Sequence, residues 1–452
     1  MYRNYCRINV VTFLMTLLFL ASNGFAEEPS AAADRLTLQE AVEIALSHHP
    51  TLMAARGALQ VQQALVGEAR SNYFPQLNLQ GNYTRATANT APSVQSSQAL
   101  SQTGQTLNQA LTTAPSNTSF NNYAATLNLQ QRIFDFGKTV ADVESARETM
   151  QSSGLSEMDF RQTVAVNVKV AYFGLLQARR LVQVQEETVR QNKEHLDQTR
   201  GFFQAGTRTR YDVTTAEVNL TNAQLNLINA QNAETVARVT LANAMGVPDR
   251  PIGELEDLLS FQKFEISEDQ AIQEALANRP DLLSLTAQRR AADATIRSAR
   301  RSYFPVLSGI ADYTWRGQDY PLVWNWDVGL SLTFPLFSGY LTQSQVAAAE
   351  SNRIVADANE EVLRQNVILQ VHQVFANLKD AGERVQTSEI VVRQAEENLD
   401  LANGRFQAGV GTTVEQTDAQ VLLTNAKTSQ VQALYDYRVA EAQLQKAMGR
   451  KD

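Results

Sequence analysis

The chain has 452 residues, with 39 Lys and Arg against 47 Asp and Glu and a single cysteine, Cys6. A net charge of −8 offers no basic footprint for nucleic acid, and everything after Cys6 lacks the thiols for a disulfide or a thiolate metal site. Ala, Gln, Asn, Thr and Val fill long stretches while Gly and Pro gather at a few boundaries, which is the grammar of long elements joined by short turns.

The first 26 residues read as a secretory signal, with Arg3 and Arg7 as the basic start, an apolar run from Val10 to Leu20, and Asn23-Gly24-Phe25-Ala26 as a small-residue cleavage site. A run of about eleven apolar residues is too short for a bilayer-crossing helix, which takes about twenty. Its removal takes away two arginines and leaves the mature chain more acidic still.

Residues 37–70 predict a helix, with Leu38, Val42, Ala45 and Leu46 three and four apart. Tyr73-Phe74-Pro75 ends it, because proline cannot extend a helix and biases its predecessor toward an extended form. Strand alternation follows over 75–84, with Leu77, Leu79 and Tyr83 against Gln76, Asn78, Gln80 and Asn82. The stretch from Thr84 to Asn122, rich in Ser, Thr, Gln, Asn and Ala, is expected to form a mobile external loop. A second strand is predicted over 123–134 (Tyr123, Ala125, Leu127, Leu129, Gln131, Ile133).

After Gly137 a proline-free run over 138–200 predicts a helix about 90 to 100 Å long, far beyond a globular core. Leu175, Arg179, Val182, Glu186, Val189, Lys193 and Leu196 give it a weak coiled-coil seam. It breaks at Phe203-Gln204-Ala205-Gly206, and a return helix over 212–245 completes a hairpin spanning 137–248.

The second half repeats the first. ARSNYFP ending at Pro75 recurs as ARRSYFP ending at Pro305, a shift of 230, and FQAG ending at Gly206 recurs at Gly409, a shift of 203. The 27-residue difference between the shifts is the insertion between the first two strands. The first repeat thus covers 27–248 and the second 266–452, joined by a linker over 249–265. In the second repeat a helix is predicted over 267–301, strands over 305–316 and 322–337, and a hairpin over 339–449.

The clearest strand alternates Trp324, Trp326, Val328, Leu330, Leu332, Phe334 and Leu336 with Asn325, Asp327, Gly329, Ser331 and Thr333. Aromatics collect at the strand ends: Tyr73, Phe74 and Phe134 at one, and Tyr83, Tyr123, Tyr313, Trp315, Trp324 and Trp326 at the other. Long alternating strands with aromatic ends favour lipid on the apolar face and interfacial girdles at its margins. About four strands cannot close a membrane barrel, which begins at about eight, so the chain is expected to oligomerise; two copies supply about eight strands and three about twelve.

In this order and with these two constant shifts, the chain resembles the TolC family of outer membrane efflux proteins. The resemblance rests on the helix, Tyr-Phe-Pro and strand succession, the strand exit Leu336-Phe337-Ser338-Gly339 with its looser version from Ile133 to Gly137, and the paired tips FQAGTRTRYDVTTAE and FQAGVGTTVEQTDAQ. It implies a mainly α fold with membrane β: a homotrimer whose twelve-stranded outer-membrane barrel continues into a long periplasmic α-helical barrel. It also implies a passive exit duct for efflux or type I secretion, partnered by a periplasmic adaptor (a membrane fusion protein) and an inner-membrane pump or ABC transporter, with no cofactor and no metal.

On this resemblance Gly206, Thr207, Gly409 and Val410 fall where the family docks its adaptor, and Glu415 and Asp418 where acidic residues ring the tunnel entrance as a cation-favouring gate. The glycines also suit left-handed helix caps, and Thr412-x-x-Glu415 reads as a capping box, with Thr209-x-x-Asp212 resembling it. The tyrosine and arginine that latch the closed entrance in some members are replaced by Phe406 and Gly411. Arg208, Arg210 and Asp212 of the first tip are the alternative latch candidates.

Catalysis has no foothold in the sequence. His48, His49, His195 and His372 lack metal-ligand spacing, and no phosphate loop or nucleophile elbow occurs. A periplasmic coiled-coil adaptor or scaffold without a barrel is the competing reading, and a trimeric surface adhesin a third.

Overall fold

The structure, a computed structural model, describes residues 35–88 and 118–450. The signal at 1–26 and most of the inserted stretch, 89–117, lie outside the described residues.

The expected helix over 37–70 is two helices, α1 (Leu38–His48) and α2 (Pro50–Ser71). Pro50 has no N–H to donate and its ring disfavours a helical predecessor, so His49 sits extended at φ −67°, ψ 125°. The second repeat does the same: Arg279, at φ −63°, ψ 121° before Pro280, separates α5 (Glu268–Asn278) from α6 (Pro280–Arg301). Each pair opens on a capping box, Thr37 with Glu40 and Ser267 with Gln270.

Four strands form one antiparallel sheet in chain order: β1 (Gln76–Ala88), β2 (Thr118–Phe134), β3 (Val306–Gly317) and β4 (Val323–Thr333). The first two reach further into the insertion than the expected 75–84 and 123–134. Pairs such as Thr84 with Asn122 and Arg85 with Asn121 continue the ladder without an apolar signal. β4 stops at Thr333, short of 337, because Pro335 cannot join a ladder.

The register sorts the sheet into two faces. Leu79, Leu127, Tyr313 and Trp326 stand opposite one another across all four strands, and so, one step along, do Asn78, Asn128, Asp312 and Asp327. On the polar face Asn128 donates to the Asp312 carboxylate at 2.6 Å. Among the described residues nothing covers the apolar face, and Leu79, Val328 and Leu330 are all more than 70% exposed.

Two 67-residue helices, α3 (Lys138–Gln204) and α7 (Leu341–Gln407), leave the sheet, and α4 (Arg210–Ala244) and α8 (Thr413–Ala447) return. At 1.5 Å per residue each long helix runs about 100 Å. Near the tips the helices lie abreast as α4, α3, α8 and α7; near the sheet the order is α2, α3, α6 and α7. At these two levels the chain is a wall four helices wide, with α7 at one flank and α2 or α4 at the other, and between them α1 packs on α3 and α5 on α7.

The main core lies where return helices, short helices and the stretch between the repeats meet, around Leu52, Val168, Leu241, Val371 and Leu444. Two tyrosines pin that stretch. The Tyr172 hydroxyl lies 2.9 Å from the Leu36 carbonyl and 3.0 Å from that of Glu256, and burial pushes its pKa up to about 12. The Tyr437 hydroxyl donates to the Gln262 carbonyl at 2.7 Å and accepts the Phe264 N–H at 2.9 Å.

Candidate functional site: the hairpin tips

Both hairpins turn with one design. The N–H of Thr207 reaches the Phe202 carbonyl at 2.9 Å and that of Gly206 the Phe203 carbonyl at 3.0 Å; Val410 and Gly409 bond Arg405 and Phe406 in the same way, each at 3.1 Å. These are Schellman closures, and each needs a residue at positive φ, supplied by Gly206 and Gly409 at +77°. Beyond its own chain neighbours, neither glycine has an atom of the described residues within 4 Å of where a Cβ would stand, so their faces are open. Beside them Val410 and Val414 are exposed, as is Tyr211, which occupies in the first tip the position of Val414 in the second and which sequence reasoning did not single out.

The side chains around these turns differ between the two tips. Thr209 and Asp212 form the complete capping box: the Thr209 N–H donates to Asp212 Oδ2 at 2.9 Å, and the Asp212 N–H to Thr209 Oγ1 at 3.3 Å. In the second tip only half forms. The Glu415 N–H donates to Thr412 Oγ1 at 3.1 Å, but the Glu415 carboxylate turns instead to Arg405 Nε at 3.3 Å. The expected box at Thr412 and Glu415 is thus corrected: the competing guanidinium of Arg405, whose first-copy counterpart is Phe202, captures the carboxylate.

Of the latch candidates, Arg208 and Asp212 meet the second hairpin and Arg210 is exposed. Arg208 Nη2 donates to the Gly411 carbonyl at 2.9 Å, and its guanidinium carbon stands 4.6 Å from the centre of the Phe406 ring. Thr413 Oγ1 donates to Asp212 Oδ1 at 3.1 Å. The Thr209 backbone N–H, then its hydroxyl, Thr413 and the charge of Arg208 hold the Asp212 carboxyl below the usual carboxylate range, against the opposing pull of burial. Gly411 is tightly placed: a Cβ there would lie 2.9 Å from the Arg405 carbonyl carbon and 2.9 Å from the Phe406 nitrogen.

Phe406 is wholly buried, with Phe202 at 5.6 Å and His195 at 5.2 Å, both edge-on, whereas its counterpart Phe203 is 39% exposed. Glu415 and Asp418 are both exposed and lie three residues apart on α8. Among the described residues no group of three His, Cys, Asp or Glu is placed to hold a metal ion.

A sheet of four strands with an open apolar face, continued by two helices of about 100 Å that each fold back as a hairpin, defines a protein of the outer-membrane channel class. Residues 41–247 and 271–450 match the family model described as outer membrane efflux protein, and the chain belongs to that family. It is 25% identical over 464 residues to the outer membrane protein TolC of Escherichia coli, covering 96% of this chain and 86% of that protein. It is 24% identical over 343 residues to the alkaline protease secretion protein AprF of Pseudomonas aeruginosa, covering 72% and 69%. In fold it matches crystal structures of CusC (TM-score 0.77, 17% identity, 92% of each chain) and of the Vibrio cholerae outer membrane protein VceC (0.74, 18% identity, 91% of this chain and 96% of that one). As a member of this family the chain is an outer membrane protein with a periplasmic helical shaft.

Proposed function

We propose that three copies pool their sheets into a twelve-stranded barrel in the outer membrane and their hairpins into a hollow shaft, making a passive exit duct for efflux or secretion. The single observation that carries this reading is the sheet itself: among the described residues β1 and β4 are both unpaired edges, and one whole face is apolar and uncovered. In hydrocarbon each unpaired backbone group costs several kcal/mol, so the edges call for partners, and β1 of one copy can take β4 of the next. The helical wall supports the same closure. Its two flanks carry exposed apolar residues at matching heights: Leu225 and Ile228 on α4 with Ile390 and Val391 on α7 nearer the tips, and Val61 and Leu65 on α2 with Ile354 and Val355 on α7 nearer the sheet. Joining α4 and α2 of one copy to the α7 of its neighbour would cover both levels.

The tips are the entrance in this reading. Gly206, Thr207, Gly409 and Val410 present the docking surface for a periplasmic adaptor, which links the duct to an inner-membrane pump or ABC transporter. The clasp of Arg208 and Asp212 on the second hairpin holds the entrance closed, and Glu415 and Asp418, repeated around the axis, favour cations there. The outward aromatics Tyr83, Tyr123, Tyr313, Trp315, Trp324 and Trp326 sit at the membrane margin. Tyr83 and Tyr123 pack with ring centres 5.1 Å apart, and Tyr313 stacks on Trp324 at 5.9 Å. The chain performs no catalysis, and energy comes from the partner.

Fractionation tests the reading against a barrel-free periplasmic scaffold. A heat-modifiable oligomer in the outer-membrane pellet supports the duct, and a freely soluble periplasmic protein overturns it.

A further inference from the structure

We infer that His195 is a proton-operated release for the seam between the two hairpins, so that acidification of the periplasm loosens the closed entrance. This rests on reading the tips as the entrance. His195 lies on α3 near the first tip and is 7% exposed, and neither of its ring nitrogens has a hydrogen-bond partner. A buried imidazole without partners is unusual, because polar groups removed from water normally find one. The ring instead packs edge-on against Phe406 of the second hairpin, at 5.2 Å, and Phe406 in turn carries the Arg208 guanidinium at 4.6 Å. His195 therefore sits beneath the same clasp that ties the two tips together.

The surroundings decide what a proton does here. The nearest space is a cavity of about 260 Å³ shared by α3, α7 and α8, lined by amide side chains including Gln198, Asn403 and Gln416. The charged groups on its wall are Arg190 and Glu194 from α3 and Asp400 from α7, while α8 contributes only Gln416, Thr417 and Gln420. From the first tip and α4 the ring feels Arg208 and Asp212. Burial above all, and then Arg208, pushes the imidazole pKa down, with Asp212 pulling weakly the other way.

The sign follows from linkage. With the seam closed, the charged ring lacks water and faces Arg208, so the proton binds weakly; with the hairpins apart the ring is hydrated and its affinity returns to the ordinary value near ~6.5. A proton that binds the separated arrangement more tightly shifts the population toward it as pH falls below that value. The equivalent residue of the second repeat is Asn398, which is exposed, so only one hairpin carries the device.

The test uses the full mature chain in planar bilayers at pH 7.5 and 5.5, above the range in which ordinary carboxylates titrate. The wild type should open more often at pH 5.5, by at most about tenfold per pH unit for each proton bound. His195→Gln and His195→Phe, which keep the site filled but cannot titrate, should conduct with the same open probability at both pH values. A pH response retained in both variants, or none in a wild type that conducts, overturns the inference. Spin labels at Thr207→Cys and Val410→Cys give a second readout that does not require conduction. The distance between tips should lengthen at pH 5.5 in the wild-type background and stay fixed with His195→Gln. Labelled tips that move with pH only when His195 is present, in a protein that never conducts, would refute the duct while leaving the proton switch standing. Tips that stay fixed in the wild type, in a protein that conducts, would do the reverse.

Discussion

The two hairpin tips share a turn but not a neighbourhood. FQAG, the Schellman bonds and the glycine at φ +77° are the same in both, yet Phe203 is partly exposed while Phe406 is buried. Asp212 completes a capping box, whereas Glu415 abandons one for Arg405. Arg208 reaches across to the Gly411 carbonyl, and those two residues are counterparts at the repeat shift of 203. Duplication supplied one reliable way to reverse the chain, and divergence at the flanking positions made one tip the hand and the other the socket.

The comparison breaks most visibly at the paired phenylalanines. Phe406→Ala should destabilise the tip by about 3 to 5 kcal/mol, as for a fully buried aromatic, whereas Phe203→Ala should cost less than about 1 kcal/mol. Hydrogen exchange of the tip amides measures both, and equal losses would mean that the socket is not a packed core.

Next comes the position where a side chain is tolerated in one tip and not the other. Gly411→Ala places a Cβ against backbone at 2.9 Å and should cost about 1 to 3 kcal/mol at the second tip, with protection from exchange falling there alone.

Arg208→Ala removes a charged hydrogen bond and a ring contact. Because the side chain is only partly buried, the loss should be about 1 kcal/mol, read as a higher resting conductance. The clasp also carries a pH signature. The native carboxyl of Asp212 lies below its ordinary value, so its contribution is complete above about pH 4 and is lost as pH falls through the lower native value. Asp212→Asn should remove that share of the acid-side loss, seen as a smaller fall in the exchange protection of the tip amides below pH 4 than in the wild type.

The smallest effect on folding, and the largest on ion choice, is expected at the exposed acids. Asp418→Ala and Glu415→Gln should each change stability by less than about 0.5 kcal/mol while lowering cation selectivity. Unchanged selectivity in Asp418→Ala would remove the gate assignment.

Much of this molecule was legible because its signals are local and occur twice. Tyr-Phe-Pro, the alternation through Trp324 to Leu332 and the FQAG turns located the strands and hairpin ends to within a few residues. Apolar spacing that ran unbroken through His49-Pro50 hid the division of α1 from α2, although the proline rule alone predicts it. The outer ends of β1 and β2 were invisible because Phe120 is the one bulky apolar residue among their pairs, and ladder bonds need no apolar side chain.

The tip clasp was harder to see. Arg208 and Phe406 lie about 200 residues apart in sequence, and neither the burial of His195 nor the choice of Glu415 for Arg405 has a local signature. The one signal that could have found the clasp was the repeat shift, which pairs an arginine with a glycine at positions 208 and 411.

Single-channel recording of the purified protein in a planar bilayer tests the central claim most directly. Assembly of pooled sheets into a barrel with an acid-lined entrance predicts discrete, cation-selective current steps from an oligomer. A monodisperse, water-soluble monomer that passes no current would contradict it.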